Sequence, residues 1–221
     1  MNARLLTVSA TYGAGGSEIA PLLAHTLGLP FADRLTSVQT LPAIPTEHAS
    51  EDELADTPRS RFLDGLALIS ADWNIPAPAD VTKLPDHVRT QVQTGLEDLL
   101  ATGGAVVLGR AAAIALGRRS CVFHVRLDGP PDRRAQRGAA WEGIDLATAR
   151  RRLEETDSSR ARYVKRLYRV DPADPAHYHL VVDSTVLSID ACVDLVATAA
   201  EAAWAFDERE LTERSHRRTG G

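Results

Sequence analysis

Residues 5–18, LLTVSATYGAGGSE, constrain the fold of this chain more than any other stretch. Residues 5–10 are apolar and partly β-branched, which suits a buried strand, and the glycines at 13, 15 and 16 then end it. Beyond them Ile19, Leu22, Leu23 and Leu27 recur at helical spacing. The pattern predicts strand, tight loop, helix. AVVLGR (105–110) and SCVFHVRL (120–127) read as strands covered on both faces, because their apolar runs are continuous rather than alternating, and HLVVD (179–183) is another strand. Helices are expected at about 110–117, 131–138 and 145–168, with a last one burying Ile189, Cys192, Val193, Val196 and Trp204. Val88, Val92, Leu96, Leu99 and Leu100 mark an earlier helix stopped at Gly103 and Gly104, RSRFLDGLALISADW (59–73) another, and residues 37–60 an irregular connection. Strand and helix alternate, so a doubly wound parallel sheet in one α/β domain is expected.

Bulk properties narrow the function. A length of 221 residues suits one domain with a small inserted lid, and a formal charge of -5 argues against general nucleic-acid binding, which depends on an excess of basic side chains. Cys121 and Cys192 are far apart in apolar segments, the setting of buried reduced thiols rather than of zinc ligands. No apolar run is long enough for a signal core or a membrane span, so a cytoplasmic protein with no membrane partner is expected. Residues 212–221 read as a flexible tail.

The loop has a chemistry of its own. A P-loop joins a strand to a helix through Gly-x-x-x-x-Gly-Lys-[Ser/Thr]; its backbone N–H groups cradle phosphate and its hydroxyl holds Mg²⁺. On this chain Ala10 takes the first glycine position, Gly15 the second, Gly16 that of the lysine and Ser17 that of the hydroxyl. The backbone cradle is retained and the point charge is not. From the residues alone the segment is either an anion cradle or a ligand-free glycine turn.

Four landmarks in order, TYGAGGSEIA, FADR, VVLGRAAAIAL and EETDSSRARYVKRLY leading to YHLVVDSTVLSID, resemble the cytidylate kinase-like family and cover nearly the whole chain. The resemblance implies a three-layer P-loop kinase fold over residues 1–221, with a helical acceptor-binding insert at about 34–102 and an arginine-bearing lid at about 145–175. It implies transfer of the ATP γ-phosphoryl group to CMP or dCMP with Mg²⁺, with small-molecule nucleotides as substrates. Gly13, Ala14, Gly15, Gly16 and Ser17 match the phosphate loop, Ser17 being the Mg²⁺ partner. Asp33, Arg34 and Arg110 match positions at the acceptor nucleotide; Asp33 also suits a turn or helix cap. Arg160 and Arg162 match the paired lid arginines, which place charge on a transferring phosphoryl group. Many relatives carry arginine where this chain has Ala10, so both positive charges at the loop are missing, and a binding module without transfer is the rival expectation. A kinase with another small acceptor is a third. No aspartate is singled out at a neighbouring strand end as a further Mg²⁺ ligand. His177, Tyr178 and His179 are either a polar cluster near the donor base or packing at the head of a strand.

Overall fold

The computed structural model describes residues 3–32, 84–109 and 111–219. Strand β1 (Leu5–Ala10) runs into helix α1 (Gly16–Leu27), followed by β2 (Phe31–Ala32), α2 (Leu84–Ala101), β3 (Val106–Leu108) and α3 (Ala112–Leu116). Then come β4 (Val122–Asp128), α4 (Pro131–Glu142), α5 (Leu146–Tyr168), β5 (Leu180–Asp183) and α6 (Ile189–Thr219). Among the described residues the strands form one parallel sheet in the order β2-β3-β1-β4-β5. Leu6 is in register with Val106 on one side and with Phe123 on the other, so β1 is central.

Both sheet faces are covered, which is why the strands lack polar alternation. Leu6, Val8 and Val125 pack with Ile19 and Leu23 of α1 and with Cys192, Val196 and Trp204 of α6. Leu5, Val107 and Val122 pack on the opposite side with Val92 and Leu96 of α2, Leu116 of α3 and Val164 and Leu167 of α5. The expected apolar stripe of α1 holds except at Leu22, which is exposed. Cys121 and Cys192 are free thiols, Cys192 buried. Helix α6 continues through Thr219, past residue 212 where the sequence reading ends the ordered chain.

Two polar side chains, His124 and Thr7, meet inside this core. His124 of β4 is 1% exposed; its Nε2 lies 2.9 Å from the Gly117 carbonyl oxygen and its Nδ1 2.7 Å from Thr7 Oγ1. A carbonyl only accepts, so Nε2 carries the proton and Nδ1 accepts from the Thr7 hydroxyl. The His124 amide donates to His179 Nδ1 at 2.9 Å, and the two rings stack 5.0 Å apart. His179 is therefore packing at the strand head.

The sheet order fixes where a ligand would sit. The connection leaving β1 leads toward β2 at one edge and that leaving β4 toward β5 at the other, so the carboxyl ends of β1 and β4 flank the point where the winding reverses. Open α/β sheets bind ligands in that crevice.

Candidate functional site

The glycine loop, residues 11–15, stands at that crevice. Gly13 and Gly15 adopt φ of 72° and 82°, left-handed conformations that glycine takes without steric cost. The Ala14 amide donates to the Thr11 carbonyl, and the Gly15 carbonyl takes the first two helical bonds, from Glu18 and Ile19. No side chain caps α1. Among the described residues the Gly15, Gly16 and Ser17 amides have no backbone acceptor, the Ser17 side chain is exposed, and the donors at the head of α1 remain available to an anion.

Gly16 is tight for a different reason. A Cβ built there would lie 2.5 Å from the Ala10 Cβ and 3.2 Å from Leu108 Cδ1. The methyl of Ala10 occupies the space through which a side chain at 16 would leave the backbone. The first glycine and the lysine of the ordinary loop are thus exchanged together, to alanine and glycine.

A cation reaches the loop from elsewhere. Arg160 of α5 donates through Nη1 to the Ala10 carbonyl at 3.0 Å, across 150 residues of sequence. Arg162 donates instead to Ser159 of its own helix at 3.3 Å. Of the two arginines expected in a lid, Arg160 is the one that the structure brings to the loop. With Lys165 and Arg166, Arg162 forms an exposed stripe on α5.

Helices α4 and α5 hold the loop at Tyr12. Its amide donates to Asp157 Oδ1 at 2.9 Å, and its carbonyl accepts from Arg134 Nη1 at 3.0 Å. Its ring lies over Gly138, where a Cβ would come within 2.5 Å. Burial first, and then the Glu142 carboxylate, push the Tyr12 phenol up to about 12. Arg134 is 5% exposed and also bonds Asp157 Oδ2 at 2.6 Å and the Gly129 carbonyl at 2.8 Å. Ser184, fully buried after β5, donates to the Ala14 carbonyl at 2.6 Å, while its own carbonyl accepts from Arg137. The Arg137 guanidinium lies 4.5 Å over the half-exposed Trp141 ring, whose edge abuts Gly15.

Two carboxylates end neighbouring strands, where the sequence alone singled none out as a Mg²⁺ ligand. Asp128 closes β4 and Asp183 closes β5. Asp128 accepts from Thr11 Oγ1 at 2.9 Å, from the Gly129 amide at 2.9 Å and from Arg126 at 2.9 Å. Burial alone would raise its pKa, but those donors outweigh it and hold the carboxyl below its usual range. Asp183 accepts from the Thr185 amide and hydroxyl. Both are taken up by structure. Among the described residues no three His, Cys, Asp or Glu side chains gather where they could hold a metal ion. Ser17, exposed at the head of α1, carries the hydroxyl that would hold a Mg²⁺ ion, a cation that is bound through few protein ligands.

Asp33, Arg34 and Arg110 lie outside the described residues, as does most of the expected insert. Asp157, Arg134 and Ser184 were not predicted from the sequence as loop contacts. Their only sequence signal was the placement of Asp157 three residues before Arg160 and of Ser184 after a strand.

Comparisons with known proteins add to this geometry. The family described as the cytidylate kinase-like family matches residues 5–186. A cytidylate kinase from Methanopyrus kandleri is 35% identical over 107 residues, which are 45% of this chain and 55% of that protein. A uronate isomerase from Corynebacterium glutamicum is 26% identical over 147 residues, 66% of this chain and 28% of that protein. The chain thus spans about half the length of the first relative and under a third of the second. Among solved structures, an uncharacterized protein from Eubacterium ventriosum superposes with a TM-score of 0.60 at 15% identity, covering 90% of this chain and 98% of its own. No described helix is long and apolar enough to cross a membrane.

Proposed function

Because the chain belongs to the cytidylate kinase-like family, we propose that it transfers the γ-phosphoryl group of ATP to a nucleoside monophosphate, CMP or dCMP first among them. The observation that carries this reading is the Arg160 guanidinium at the Ala10 carbonyl, a cation beside a loop that has none of its own. Residues 13–17 hold the donor phosphates by their amides. Ser17 would hold Mg²⁺, which would supply neutralisation of the phosphate charge. Arg160, with Arg162 behind it on α5, stabilises the charge on the moving phosphoryl group, for which a planar guanidinium is well shaped. An oxygen of the acceptor phosphate forms the new P–O bond, the bond from the γ-phosphorus to the bridging oxygen breaks, and ADP leaves. Asp33, Arg34 and Arg110 contact the acceptor. Residues 1–221 act as one cytoplasmic domain, with the insert at 34–102 and the lid at 145–175.

The second reading, nucleotide binding without transfer, draws on the loss of the lysine. The test is ADP release from ATP and Mg²⁺ with CMP, dCMP, UMP, AMP or no acceptor, with nucleotide-dependent melting in parallel. Acceptor-stimulated release is expected, falling about 10²- to 10³-fold in Arg160→Ala and less in Arg162→Ala, whose guanidinium bonds within its own helix, with folds intact. Stabilisation by nucleotide without release supports the binding module. Release with AMP or UMP but not CMP moves the acceptor and keeps the reaction.

A further inference from the structure

Asp157 has no role in the reaction just described, yet it is where α4, α5 and the glycine loop meet. Its Oδ1 accepts the Tyr12 amide at 2.9 Å and its Oδ2 accepts from Arg134 at 2.6 Å. The Arg134 side chain is 7% exposed, and its other bonds go to the Tyr12 and Gly129 carbonyls. Arg134 therefore faces the inner side of the loop and is no substitute for the missing lysine; it is the fixed post to which Asp157 is tied. Asp157 and Arg160 are three residues apart in one helix, so they share a face. Their partners, Tyr12 and Ala10, are two residues apart on the loop. With Asp157 held at Tyr12, the rotation and height of α5 are set, and Arg160 arrives at Ala10.

We propose that Asp157 is a positioning residue that fixes Arg160 against the glycine loop, so that the cation of the site is placed by the fold rather than delivered by a swing of α5. This rests on the phosphate-binding reading of the loop. A part-buried carboxylate on a buried guanidinium also stabilises the fold, so loss of activity alone is no test. The discriminating measurement is a double-mutant cycle with Asp157→Ala, Arg160→Ala and both changes, read in kcat and in the affinity for inorganic tripolyphosphate.

Asp157→Ala is expected to lower both by at least about tenfold in the wild-type background and by less than about twofold once Arg160 is already alanine, because misplacing an absent group has no further effect. Equal losses in the two backgrounds overturn the proposal and leave the phosphotransfer reading standing. Tripolyphosphate binding without turnover of any acceptor removes the transfer reading, and the affinity cycle still decides on Asp157. No binding of tripolyphosphate by the wild type overturns both. Should Asp157→Ala not fold, Asp157→Asn, which keeps an oxygen for the Tyr12 amide, goes through the same cycle under the same criterion.

Discussion

Ala10 and Gly16 show why a residue missing from a motif has to be read with its neighbour. The absence of lysine was legible in the sequence, but its cause was not, because it lies in 2.5 Å between a real methyl and a hypothetical Cβ. Restoring lysine alone is predicted to fail. Gly16→Lys forces the loop against Ala10 and Leu108, and overpacking of this kind costs about 1–3 kcal/mol. Ala10→Gly with Gly16→Lys removes the obstructing methyl and should recover most of the lost melting temperature. If Gly16→Lys melts with the wild type, the steric account is wrong. The same reasoning separates Arg160 from Arg162, which the sequence presented as a pair: two residues apart on a helix, they point about 200° apart, and of the two Arg160 meets the loop.

Strand β4 carries a pH dependence of the whole fold. Its continuous apolar run made it readable as a buried strand, and His124 within that run gave no hint of its partners, since Thr7, Gly117 and His179 are brought to it only by sheet pairing and by the turn after α3. Burial lowers the His124 pKa to about 4, the bond to Gly117 opposing the shift. His179 is lowered as well, by burial and then by Arg118. The unfolded chain, with histidine near 6.5, then binds protons that the folded chain refuses, so stability is whole above that value and drains as pH falls toward 4. His124 alone accounts for up to about 3 kcal/mol. Urea denaturation at pH 7.5 and 5 should show the loss, and His124→Asn should flatten the difference. An unchanged midpoint in the wild type contradicts the buried neutral imidazole. Helix α5 was legible for the opposite reason: 23 residues of regular amphipathic spacing, with Asp145 capping the start through the Thr148 amide.

At the scale of the molecule, alternation of strand and helix gave the class of fold, whereas the order β2-β3-β1-β4-β5 depends on long-range pairing that no local pattern encodes. The glycine loop was readable because its glycines are local. Its supports were not, since Asp157 and Ser184 lie 145 and 170 residues from their partners. Ser184 ties the turn after β5 to the loop, and Ser184→Ala leaves the buried Ala14 carbonyl without that donor. A loss of about 1–3 kcal/mol in chemical denaturation is expected, together with weaker nucleotide binding. Unaltered affinity would separate this tie from the site. The bond from Arg160 to Ala10 has a last consequence, in the order of synthesis. The glycine loop is translated before the cation that bonds to it, since Arg160 follows Ala10 by 150 residues. A nascent chain therefore carries the glycine turn long before the Arg160 guanidinium, and this contact forms only after α5 has been made.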